Sequence, residues 1–150
     1  MIKRAVVLVN LGSPAMPTPA AIKTFLTQFL SDSRVVEIPR LLWWPLLRAV
    51  ILPLRSKRVA KLYEEIWTEK GSPLTAMTIR QAALLQAKLQ QSGNADVIVC
   101  TAMTYGHPSI AEVIGTLRKQ QIENIMLIPL YPQYSGTTTG AVYDQVARLV

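Results

Sequence analysis

Ala5-Val-Val-Leu-Val9 runs straight into Asn10-Leu-Gly-Ser-Pro14, and that junction decides the fold. An unbroken apolar run rich in valine, with no polar alternation, describes a strand buried on both faces, as in parallel sheets. Gly12 and Pro14 end it. A helix is predicted next, with Thr18 as N-cap, Pro19 at its first position and Ile22, Phe25, Leu26, Phe29 and Leu30 on one face. Asp32-Ser33 stops it. The cycle then returns. Thr75 to Gln91 reads as helix, carrying Ala83, Leu84, Leu85, Ala87 and Leu89, with Gly93 as its stop. Val97-Ile-Val-Cys-Thr101 is a second buried strand, and Pro108 to Gln120 a helix turning Ile110, Val113, Ile114 and Leu117 inward. Ile125-Met-Leu-Ile128 is a third strand, and Thr139 to Val150 a last helix.

Short apolar strands alternating with helices predict an α/β fold: a parallel sheet with helices on both faces and right-handed crossovers. Ligands in such sheets sit at the carboxyl ends of the strands. Here those ends are Asn10–Pro14, Ala102–Pro108 and Pro129–Gly140, three loops rich in hydroxyl, aromatic, Gly and Pro residues. Residues 33–73 break the alternation with an apolar, proline-punctuated excursion. Three strands make a thin sheet, so a second half of the protein is expected beyond the chain.

The chain's 150 residues suit one domain. With 50% hydrophobic and 17% charged residues it is far from the disordered class. One cysteine, Cys100, excludes an internal disulfide framework and multi-cysteine zinc patterns; inside a strand it reads as an inert buried thiol. One histidine, His107, excludes motifs that need two. The net charge of +7 is local: residues 38–63 hold Arg40, Arg48, Arg55, Lys57, Arg58 and Lys61 and no acid. Interleaved with Trp43, Trp44, Leu46, Leu47, Ile51 and Leu52, those cations suit a membrane surface or an acidic ligand with an apolar body. Nucleic acid is not indicated, since no helix-turn-helix or RNA-binding signature appears. No secretory signal, membrane-spanning run, Walker loop or Gly-x-Gly-x-x-Gly motif is present. The expectation is a cytoplasmic protein that touches the inner-membrane surface through residues 41–54 without crossing it.

Five blocks carry something more specific: Leu8-Val-Asn-Leu-Gly-Ser-Pro14, Phe29-Leu-Ser-Asp-Ser-Arg-Val-Val36, Arg40-Leu-Leu-Trp-Trp-Pro-Leu-Leu47, Gly71-Ser-Pro-Leu74 and Pro129-Leu-Tyr-Pro-Gln-Tyr-Ser135. In order and spacing they resemble the ferrochelatases of bacteria, enzymes that insert ferrous iron into protoporphyrin IX or coproporphyrin III to form haem. The resemblance spans the whole chain. It implies the first, Rossmann-like lobe of a two-lobe chelatase, with the porphyrin in the cleft between lobes. It also implies that the catalytic histidine and metal-pathway glutamate belong to the second lobe, so that no catalytic or metal-binding residue lies in this chain and the fragment alone is inactive. His107 stands in a Tyr-Gly-His-Pro segment and is not the base.

By the same resemblance Leu11 lies against the macrocycle face, and Arg55 and Tyr63 are porphyrin contacts. Ser72, Tyr105, Ser135 and Thr137 match positions near the ligand. All but Tyr63 have a plainer alternative: Leu11 a core leucine, Arg55 part of a solvated helix start, Ser72 an N-cap or turn serine, Tyr105 a loop-lining ring, Ser135 and Thr137 helix capping or an anion nest. The tryptophan segment is either the pocket lip or a cap on the second lobe. Thr104 departs from an arginine that many relatives carry, which removes one cation. Gly136 stands where relatives with an iron–sulfur cluster place a cysteine, so this half supplies no cluster ligand. No resident cofactor is implied, and Fe²⁺ is a substrate. Two other functions remain open: a chelatase for another metal and tetrapyrrole, and a non-catalytic module that binds porphyrin or haem or docks on membranes.

Overall fold

The computed structural model describes residues 4–149. Three strands, β1 (Arg4–Asn10), β2 (Val97–Met103) and β3 (Asn124–Pro129), form one parallel sheet in the order β2-β1-β3. Val7 of β1 stands opposite Cys100 on one side and Leu127 on the other. β1 is central, which explains its unbroken apolar run: Val7 and Val9 are fully buried. Each such side chain contributes about 1.5–3 kcal/mol relative to exposure. β2 and β3 are edges, and Met126 on β3 is 62% exposed.

Helices α1 (Pro19–Leu30), α4 (Pro73–Gln91), α5 (Ile110–Lys119) and α6 (Ala141–Ala147) follow the predicted cycle. The sheet face bearing Ala5, Val7 and Val9 packs on Ile114 and Leu117 of α5 and Val142 of α6. α4 runs along β2 and reaches the end of β1 on the opposite face, where Asn10 Nδ2 donates to Thr78 Oγ1 at 3.0 Å. The helix signals for α1 are met: Thr18 Oγ1 accepts from the Ala21 N–H, Pro19 opens the first turn, and Ile22, Phe25, Leu26 and Leu30 are buried.

Several boundaries differ from the sequence expectations. α4 starts at Pro73, two residues before Thr75, because a proline is favoured in a first turn. Its apolar residues are not all inward: only Thr78 and Ala82 are buried, and Leu84 is 62% exposed. α5 begins at Ile110 rather than Pro108, since Ser109 and Glu112 close a capping box there. A π-helical turn, Gly136–Gly140, precedes α6, so the regular helix starts at Ala141; Val150, the expected end, lies outside the described residues.

The 33–73 excursion is largely helical. α2 (Arg40–Leu46), a π-helical turn (Leu47–Ile51) and α3 (Leu52–Ile66) run on without a break. Pro45 and Pro53 lack an N–H, and the ring of Pro53 would strike the carbonyl of Ala49 in a straight α-helix. The widened turn, with Leu52 N–H donating to Leu47 O, gives that ring room. This lip lies along α1. Leu47 and Leu52, expected among the residues offered to a ligand or bilayer, are instead fully buried with Ile22, Phe25 and Leu26. Arg55 to Lys61 lie within α3, not at a helix start.

Candidate functional site

The backbone pairing of β1 and β2 continues past the strands. Thr104 N–H donates to Asn10 O at 2.8 Å and Tyr105 N–H to Leu11 O at 2.9 Å, so Leu11 and Tyr105 come side by side at the carboxyl edge of the sheet. Gly12 makes this possible. It has φ +96°, and a β-carbon there would overlap the carbonyl oxygen of Tyr105. The Asn10 side chain holds the turn, its Oδ1 accepting from Leu11 N–H at 2.8 Å.

Tyr63 of α3 joins these two residues in one apolar cluster with Phe29 and Trp43. Tyr105 is buried, meets the Phe29 ring edge-on at 5.2 Å, and donates its hydroxyl to Asp32 Oδ2 at 2.8 Å. Burial, and then the Asp32 carboxylate, raise its pKa, so it remains a neutral donor. Burial also raises the Tyr63 phenol; its ring meets Trp67 edge-on at 6.2 Å. Trp43 Nε1 donates to Leu30 O at 2.7 Å, fastening the lip to the end of α1. Beside it, the Arg48 guanidinium stacks 4.3 Å from the Trp44 ring centre.

Two hollows flank this cluster and share a wall of Gln28, Gly106 and His107, fixed where Gln28 Oε1 accepts from Gly106 N–H at 2.8 Å. The first, about 440 Å³, lies between α1 and the start of α4 and is lined by Phe25, Trp67, Lys70, Ser72 and Thr75. Ser72 is buried at the N-cap position, yet its hydroxyl caps nothing. The second, about 370 Å³, is polar, with Asp32, Arg40, Tyr105, Asp144 and Arg148 on its walls. A more apolar groove of about 560 Å³ lies elsewhere, at the outer edge of β2 between α4 and α5, and contains Cys100 but none of the candidate residues. Cys100 is half-buried there, and burial raises its thiol pKa.

The sequence-selected residues therefore fall into three groups. Leu11, Tyr63 and Tyr105 meet in one cluster, and Ser72 faces the adjoining hollow. Ser135 and Thr137 form their own hydroxyl pair at 2.8 Å, ahead of α6. Arg55 is exposed on α3 and lines neither hollow. The sequence does not single out Asp32, Arg34 and Gln28, whose side chains tie the surrounding loops together, although Asp32 and Arg34 lie inside one of the matched blocks. Among the described residues, no cluster of three His, Cys, Asp or Glu side chains could hold a metal ion.

A parallel sheet with helices packed on it and an aromatic cluster beyond its carboxyl edge makes this chain an α/β lobe, a fold in which ligands sit at the strand ends. The ferrochelatase family model matches residues 3–150, and the chain belongs to that family. A ferrochelatase of Cronobacter sakazakii is 53% identical over 148 residues, covering 99% of this chain and 45% of the relative. One of Haemophilus influenzae is 55% identical over 146 residues, covering 97% and 45%, and one of Klebsiella pneumoniae 51% over 148, covering 99% and 45%. The chain spans a little under half the length of the curated relatives it matches.

Proposed function

We propose that the protein containing this chain inserts Fe²⁺ into a porphyrin and that this lobe holds and shapes the macrocycle. The observation that carries the reading is that Leu11 and Tyr105, side by side at the carboxyl edge of the sheet, share one apolar cluster with Tyr63 of the lip helix α3, in a chain of the ferrochelatase family. A porphyrin is a flat apolar disc with carboxylates on its rim. Leu11 and Tyr63 offer it an apolar face. Arg55, exposed on α3, supplies a cation for a propionate, and Ser72, Ser135 and Thr137 supply hydroxyls.

Metal insertion replaces two pyrrole protons with one Fe²⁺ and releases both. The planar macrocycle hides its nitrogen lone pairs, so contacts along its faces and rim that favour a bent form lower the barrier. The group that takes the protons belongs to the second lobe, and this chain provides grip and distortion. Both porphyrins with propionate rims, protoporphyrin IX and coproporphyrin III, fit that role.

The lip also suits a membrane surface. Leu41, Leu42 and Leu54 are 88%, 69% and 71% exposed, among arginines and lysines. No helix among the described residues is long and apolar enough to cross a membrane. We place the protein in the cytoplasm, resting on the inner membrane through residues 41–54.

The test is anaerobic turnover of the full-length protein with Fe²⁺ and either porphyrin, followed by the haem absorption band. Haem formation, with Arg55→Ala raising KM for the porphyrin, is the expected result. Porphyrin binding with no metal insertion would replace this reading with a carrier, and insertion of another metal alone with a different chelatase.

A further inference from the structure

One short turn between α1 and α2 reaches two of the three strand-end loops. Asp32 Oδ2 accepts from the Tyr105 hydroxyl, while its Oδ1 accepts from Arg34 N–H at 2.8 Å. Arg34 then reaches α6. Its Nε and Nη2 donate to Asp144 Oδ2 at 2.7 Å and Oδ1 at 3.0 Å, a two-pronged pairing across 110 residues of sequence. Asp144 lies in the first turn of α6, just after the π-helical turn Gly136–Gly140. The third guanidinium nitrogen, Nη1, lies over that turn: a β-carbon built on Gly140 would stand 3.6 Å from it, and one on Gly136 3.9 Å. Arg34 thus meets the segment after β3 both through the Asp144 carboxylate and along its backbone.

We propose that Arg34 is a positioning residue, holding the Ser135–Thr137 hydroxyl pair at a fixed place relative to the Leu11–Tyr105 edge. The inference rests on the reading that both groups face the porphyrin. An isolated ion pair this exposed, with side chains 44% and 36% accessible, adds little stability. Its effect here is geometric. Ser135 and Thr137 sit on the connection between β3 and α6, residues 130–140, and Tyr105 is fastened to the Asp32–Arg34 turn through Asp32. Asp32 and Arg34 are two residues apart, so the β2 and β3 loops share one anchor. Hydroxyl donors act only where they are held, because small displacements of a positioned group cost much of its effect.

The test uses the full-length protein with Arg34→Ala, Arg34→Lys, Asp144→Ala and the Arg34→Ala/Asp144→Ala double variant. Amide hydrogen exchange reads the anchoring directly, since Thr138 N–H and Gly140 N–H both donate to Ser135 O. In Arg34→Ala, exchange at 136–140 is expected to rise by about two- to five-fold while β1 amides stay protected. Asp144→Ala is expected to match it, the double variant to go no further, and Arg34→Lys, which keeps the charge but not the fork, to fall between. KM for the porphyrin is expected to rise more than kcat falls. Unchanged exchange at 136–140, or equal loosening of β1, overturns the anchoring. A loosened turn with unchanged KM overturns the positioning role while leaving iron insertion by the wild type intact. A wild type that makes no haem defeats the underlying reading instead, and the exchange result still decides whether Arg34 holds the turn.

Discussion

The hydroxyl of Tyr105 lies 2.8 Å from Asp32 Oδ2, joining the loop after β2 to the end of α1 across 73 residues of sequence. The donor is buried and the acceptor charged, so this bond outweighs a typical surface contact. Tyr105→Phe leaves the Asp32 oxygen without this donor and is expected to destabilise the protein by about 1–3 kcal/mol. Thermal or urea unfolding of the variant against the wild type measures it.

Gly12 is the second fixed point. Its φ of +96° and the Tyr105 carbonyl oxygen in the way of any β-carbon make Gly12→Ala strained and overlapping at once. A loss of about 2 kcal/mol or more is expected, with a drop in porphyrin affinity because Leu11 is the next residue. A variant with unchanged stability and affinity would show that the turn tolerates another path.

At the outer edge of β2, the Gln86 carboxamide stands in for a neighbouring strand. Its Nε2 donates to Val97 O at 3.0 Å, and its Oε1 accepts from Val99 N–H at 2.7 Å. Gln86→Leu removes both bonds and uncovers strand edge. The expected cost is about 1–2 kcal/mol, together with self-association that grows with concentration, read by light scattering.

The start of α5 predicts a dependence on acid. The Ser109 N–H first, then His107 and the Ser109 hydroxyl, hold the Glu112 carboxyl down to about 2. Its unfolded value is about 4.3. Between those values the unfolded chain binds the proton and the folded chain does not, so stability rises with pH. The contribution is complete above about pH 5 and fades as pH falls through 4 toward about 2. Glu112→Gln is expected to flatten that part of the stability–pH curve and to change little of its slope above pH 6. Asp144, lowered by Arg34, bends the curve in the same direction.

Much of this was readable from local sequence. The valine-rich β1 announced a central strand, and Thr18-Pro19 announced α1, because burial and capping are settled by neighbours within a few residues. The strand-end rule pointed to the loops 10–14 and 102–108, and only the resemblance singled out Leu11 within them. The lip was harder, since Pro45 and Pro53 read as breaks, yet Pro45 sits within α2 and a π-helical turn lets the helix pass Pro53. Leu47 and Leu52 look as available as Leu41 until α1 is seen beside them. The Arg34–Asp144 and Tyr105–Asp32 pairs are non-local, and no spacing rule announces a contact between distant parts of a chain. Arg55, selected by resemblance, is exposed on α3 and lines neither of the two hollows beside the cluster.

A porphyrin is expected against the Leu11–Tyr105 edge, with Tyr63 of the lip facing it. A crystal structure of the full-length protein with a metal-free porphyrin tests it most directly. The account predicts the macrocycle in van der Waals contact with Leu11 and Tyr63, its rim carboxylates toward Arg55 or the Ser135–Thr137 pair. A porphyrin seated instead in the groove beside β2 and α4, with the Leu11 edge bare, would contradict it.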